Sequence, residues 1–127
     1  MENMKFISTE KAAQPLGHYS QAVVQNGMVY VATQLGIVPG KSIAVGSIVQ
    51  QAKAALTNVQ EILRAAGSDL NKVVKVTVYV SDIKFWDEVN TVYSEFFKDH
   101  KPARGIIPTG VFHKGFQVAF DVIAAQD

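Results

Sequence analysis

The chain has 127 residues and a formal net charge of +1, from 12 Lys and Arg against 11 Asp and Glu. That length fits one domain, 1–127, able to bury roughly two-thirds of its unfolded surface without metal or disulfide support. The near-zero charge gives no electrostatic reason to expect nucleic acid or an anionic membrane as partner. With no cysteine, disulfides, thiolate catalysis and Cys-based zinc sites are excluded.

Phe6 and Ile7 fit a short first strand, and residues 12–17, with Pro15 and Gly17, read as a loop from which Tyr19 emerges. Residues 21–25 and 28–34 are β-prone runs joined by Asn26-Gly27, the pair that tolerates positive φ in a tight type I′ hairpin turn. Pro39-Gly40 breaks the pattern. Ser47 with Gln50 three residues on has the form of a capping box opening a helix through Ala66, with Gly67 as its stop. Ile48, Ala52, Leu56, Val59 and Leu63 form that helix's core stripe.

Residues 72–80 alternate as a strand, which puts Val74, Val76, Val78 and Val80 on one face and Lys75, Thr77 and Tyr79 on the other. Ser81 or Asp82 is placed to cap a second helix to about Lys98, buried through Phe85, Val89, Val92, Tyr93 and Phe96. Two strands follow, about 104–108 and 116–124. No run reaches the ~20 apolar residues of a membrane span, and residues 1–11 lack a signal-peptide core, so the cytoplasm is the expected compartment.

The element order predicts an α+β fold, its sheet mostly antiparallel or mixed, with both helices on one face. The other face would carry Tyr30, Ala32, Lys75, Thr77, Tyr79, Gln117, Ala119 and Asp121. That set is too mixed for a core and too aromatic for bare solvent, so an oligomer is expected.

Four segments stand out: Gly17-His18-Tyr19-Ser20-Gln21-Ala22-Val23, Ala65-Ala66-Gly67-Ser68, Asn90-Thr91-Val92-Tyr93-Ser94-Glu95-Phe96-Phe97 and Pro102-Ala103-Arg104. In this order they resemble the Rid family of imine and enamine deaminases, also called the YjgF or L-PSP endoribonuclease family, and the resemblance covers almost the whole chain. It implies a chorismate-mutase-like subunit of the Bacillus type, a homotrimer with sites in the clefts between subunits, a small 2-oxo or 2-imino acid ligand and no bound cofactor.

Arg104 would hold the ligand carboxylate, since its planar fork of donors matches two acid oxygens and such charge-assisted bonds contribute about 1.5–3 kcal/mol. The resemblance assigns Tyr19 to the pocket wall, although His18 replaces the family's proline. Asn90 matches a helix asparagine and reads as a structural hydrogen-bonder. Backbone groups near Ile106 and Ile107 are placed to polarise the imine or water.

Three departures weigh against catalysis. Val31-Ala32-Thr33-Gln34 stands where the family carries Ser-Gly-Gln, so Ala32 lacks the hydroxyl, and Thr33 is expected on the opposite strand face. Ile106 replaces a Ser or Cys. Ungapped counting from Arg104 puts Ala119 at the family's water-positioning glutamate; Asp121 shares its face but lies about 6.5–7 Å along the strand.

The first reading is therefore hydrolytic deamination, weak at most. The alternative is a non-catalytic module binding a small carboxylate metabolite. Ribonuclease activity gains nothing from the near-neutral charge. His18, His100 and His113 lack metal-ligand spacing, and no metal is expected.

Overall fold

A computed structural model describes residues 3–110 and 112–127. Its strands are β1 (Lys5–Ile7), β2 (Ala22–Gln25), β3 (Met28–Leu35), β4 (Val73–Val80), β5 (Ala103–Pro108) and β6 (Val118–Ala125), with helices α1 (Ile48–Ala65) and α2 (Trp86–Phe97). One sheet runs β1-β2-β3-β6-β4-β5. All neighbours are antiparallel except β4 and β5, whose parallel pairing requires the crossover that α2 supplies. The mixed α+β architecture expected from the element order is thus present.

Local chemistry explains the element ends. Asn26 and Gly27 take φ of 52° and 76°, as the primed hairpin turn demands. Ser47 caps α1 with the reciprocal capping box, its N–H donating to Gln50 Oε1 at 2.8 Å while Gln50 N–H donates to its hydroxyl at 3.3 Å. At the far end Ser68 N–H donates to Leu63 O and Gly67 N–H to Arg64 O, a Schellman stop that needs Gly67 at φ 80°. The Ser68 hydroxyl then donates to Ala125 O at 2.6 Å, tying the helix end to β6. Asp82 rather than Ser81 supplies the second cap, and what it caps is a short 3-10 turn, Ile83–Phe85, that leads into α2.

Below, Leu56, Val59, Ile62 and Leu63 pack with Val89, Val92 and Phe97 onto Val76, Val78, Phe120 and Val122. Burying each such side chain stabilises by about 1.5–3 kcal/mol as an upper estimate.

Two irregularities break the expected alternation. On β4, Val73 pairs with Ala124 and Lys75 with Ile123, so Val74 is an extra residue. Val73 takes the core position and Val74 is 49% exposed, which corrects the expectation that Val74 faces the core. On β3, Val31 pairs with Val122 and Gln34 with Phe120, so Ala32 and Thr33 together oppose Asp121. Thr33 therefore shares the open face instead of turning to the opposite one, because a bulge suspends the period-two rule.

Gly36, where the chain leaves β3, lies against α1 so closely that a Cβ would sit 2.6 Å from Gln51 Cα. Backbone cannot yield as a flexible side chain does. Gly36→Ala is expected to destabilise the fold by about 1–3 kcal/mol, read as a lowered urea midpoint with unchanged slope.

Candidate functional site

Arg104 lies opposite Val76 on the edge strand β5, on the helix-covered side of the sheet. Trp86, Asn90 and Tyr93, at four- and three-residue steps on α2, form one stripe beneath it. Its guanidinium carbon sits 4.6 Å from the Trp86 ring centre and 4.8 Å from that of Tyr93, and its Nη1 donates to Asn90 Oδ1 at 2.9 Å. Two aromatic faces and one amide thus fix the plane of the fork. Among the described residues no carboxylate pairs with it.

The Tyr93 hydroxyl is buried beside the Arg104 guanidinium and, among the described residues, has no hydrogen-bond partner of good geometry. Burial raises its pKa, and the Arg104 charge offsets part of that rise.

A second feature occupies the open face: a cavity of about 830 Å³ lined by Tyr19, Ala32, Thr33, Leu35, Tyr79, Thr109, Phe112, His113 and Ala119. Ala119 pairs with Leu35 and Tyr79 across β6, and Asp121 is its neighbour but one along that strand. Both carboxylate oxygens of Asp121 are engaged: Thr33 Oγ1 donates to Oδ1, and Tyr79 Oη donates to Oδ2 at 3.0 Å. Hydrogen bonding to Asp121 and its negative charge raise the Tyr79 phenol above its usual pKa, with a smaller contribution from burial.

Three buried amides hold the loops around this cavity. Gln51 Nε2 donates to Gly115 O and Gly46 O, and its Oε1 accepts from Gln117 N at 2.9 Å. Asn58, two turns along α1, donates to Ile37 O and accepts from Ala13 N. Gln21 joins Thr9 and Ala13 in the same way. Irregular backbone cannot satisfy its own polar groups, and these side chains do so instead.

The expected site residues fall into two groups. Arg104 and Asn90 are in contact; Tyr19 and Ala32 line the cavity. Tyr19 is half exposed, its hydroxyl accepting from Leu16 N. Ile106 leans on the core, whereas Ile107 pairs with Tyr79 on the open face and is partly exposed. Within one chain Arg104 and the cavity lie on opposite faces of the sheet. Sequence reading missed the Trp86 and Tyr93 stacking, for which the Trp86/Asn90/Tyr93 spacing was a usable signal, and the engagement of Asp121 by Thr33 and Tyr79, for which there was none.

His18 is exposed, His100 contacts Val73 O at 2.7 Å, and His113 borders the cavity. Among the described residues no cluster of three or more His, Cys, Asp or Glu is placed to hold a metal, and no helix is long and apolar enough to cross a membrane.

The sequence matches the family described as Endoribonuclease L-PSP over residues 9–126. It is 43% identical, over 96% of this chain and 90% of the other, to the goat (Capra hircus) protein named 2-iminobutanoate/2-iminopropanoate deaminase. Among solved structures it is similar to RidA from the Antarctic bacterium Psychrobacter, with TM-score 0.91 and 32% identity over 95% of this chain and 98% of that one. The structure of Escherichia coli TdcF with bound serine matches with TM-score 0.91 and 28% identity over 97% and 99% of the two chains.

Because Asp121 holds the Tyr79 phenol up, Asp121→Asn is expected to move the Tyr79 titration, followed by phenolate absorbance, down toward the ordinary tyrosine range. An unchanged midpoint would show that the two groups do not interact in solution.

Proposed function

Since the chain belongs to the endoribonuclease L-PSP family, also called the Rid family, we propose that it hydrolyses small 2-imino and enamine acids to 2-oxo acids and ammonia. The observation that carries this reading is Arg104: a fork fixed by Trp86, Tyr93 and Asn90, with no acid among the described residues to neutralise it. A cation so oriented is a receptor for a carboxylate. The serine seen in TdcF, itself a small carboxylate, agrees with that class of ligand.

The rest of the reading follows from the sheet. Arg104 and the open-face cavity are on opposite sides of one chain, so a site that uses both takes Arg104 from one copy and the cavity from the next. A homotrimer of chorismate-mutase-like subunits, with the ligand in the clefts between them, meets that requirement. Each subunit is then one domain, 1–127, working in the cytoplasm without a bound cofactor. Tyr19 and Ala32 wall the pocket, Asn90 steadies Arg104, and edge-strand backbone near Ile106 and Ile107 offers unpaired polar groups. Water adds to the C=N carbon, and the resulting carbinolamine collapses to the 2-oxo acid and ammonia.

A second reading, a binding module for a small carboxylate metabolite, draws on one specific observation: no acid is among the described cavity-lining residues, and Ala119 stands on its floor. A positioned acid or base contributes about 10²- to 10⁴-fold, so its loss lowers turnover more than binding. Imines hydrolyse unaided in water, and orientation alone still accelerates them.

With threonine dehydratase supplying 2-iminobutyrate and semicarbazide trapping it, the wild-type chain is expected to divert imine from the trap. Arg104→Ala should abolish that protection, and Ala119→Glu should increase it. If wild type fails to protect yet binds 2-oxobutyrate, and only Ala119→Glu is active, the binding module is the correct reading.

A further inference from the structure

We propose that Tyr79, backed by Asp121 and Thr33, is the proton-transfer group of the open-face cavity. This inference rests on the deaminase reading above and deepens it. The cavity's described lining includes the hydroxyl-bearing residues Tyr19, Thr33, Tyr79 and Thr109 together with His113, and no carboxylate.

These groups are not equivalent. The Tyr19 hydroxyl accepts from Leu16 N in its own loop, and the Thr109 hydroxyl donates to the carbonyls of Val80 and Gly110. Thr33 and Tyr79 alone among them donate to an acid, and only Tyr79 extends that contact from the cavity across the sheet as an aromatic side chain. Because the Tyr79 proton is committed to Asp121 Oδ2, the phenol oxygen's lone pairs are left to accept a proton from the cavity. Thr33 occupies the other carboxylate oxygen and so fixes which one faces Tyr79. The bulge in β3 is what brings Thr33 to this face. A phenol held above its ordinary pKa stays protonated near neutrality, as a relay between water and carboxylate requires.

Water's oxygen bonds to the iminium carbon and the C=N π pair moves to nitrogen. The water proton passes to Tyr79 Oη while the Tyr79 proton passes to Asp121, leaving a neutral carbinolamine and a protonated acid. The reverse transfer protonates the amine; the C–N bond breaks, its electron pair leaves with nitrogen, and the hydroxyl proton departs with it, giving the 2-oxo acid and ammonium. Tyr79 is the catalytic residue of this scheme, and Asp121 and Thr33 act through it.

Other titratable groups face the cluster. Lys75 of β4 and Tyr30 of β3 line the shallow groove that holds Asp121, and Tyr19 and His113 border the cavity. No salt bridge among the described residues engages Asp121.

The test uses the full chain in the semicarbazide assay, with kcat and KM measured across pH. Tyr79→Phe is expected to lower kcat by about 100-fold at unchanged KM. Asp121→Asn should lower kcat similarly at unchanged KM. Adding Ala119→Glu to Tyr79→Phe should restore turnover by placing an acid in the cavity directly. Circular dichroism and urea midpoints report whether each variant is folded. An active wild type with unimpaired Tyr79→Phe, or a loss confined to KM, overturns the relay and leaves the deaminase reading standing. An inactive wild type overturns both.

Discussion

A β-strand sends alternate side chains to opposite faces, and the candidate site of this protein depends on that constraint. Arg104 lies in register with Val76 and so shares the helix-covered face, while Tyr79 and Ala119 face the other way. No rotamer change carries a guanidinium through a sheet backed by Val76, Val78 and Phe120, all fully buried. The proposed carboxylate receptor and the cavity proposed for the carbon skeleton are therefore separate features of one chain. In the proposed arrangement they meet only where a second copy presents its edge.

Each half is built by a different kind of interaction. The Arg104 half is assembled on regular structure, with three side chains of one helix face and an edge strand, so rigid backbone sets its geometry. The cavity half has its floor on β3, β4 and β6 and is rimmed by loops, which carry backbone groups that no ladder satisfies. Gln21, Gln51 and Asn58 supply those missing partners from buried positions. Leaving one such group unpaired costs about 1–3 kcal/mol, which explains why polar residues are kept on the otherwise apolar stripe of α1.

Most of the fold is legible in the sequence. The Asn26-Gly27 turn, the Ser47/Gln50 box and the Gly67 stop are local devices whose chemistry is complete within a few residues. Bulges are different, because they arise from mismatch between strands distant in sequence. The one after Val73 turned Val74 outward, and the one after Val31 turned Thr33 toward Asp121. At the site, the resemblance pointed to Arg104, Asn90 and Tyr19 as residues of interest, but the division between two faces of the sheet required register. The polar residues Gln51 and Asn58, seven apart beside the apolar positions of α1, were a readable sign of buried amides that pattern reading passed over.

In the proposed composite site the acid end of a small metabolite lies on Arg104 of one copy and its carbon skeleton in the cavity of another. A crystal structure of the protein soaked with 2-oxobutyrate tests it most directly. The ligand carboxylate is expected to pair with Arg104, with the remaining atoms against Tyr19 and Ala119 of the adjoining copy. Ligand held wholly within one chain, or Arg104 facing open solvent away from any junction between copies, would contradict it.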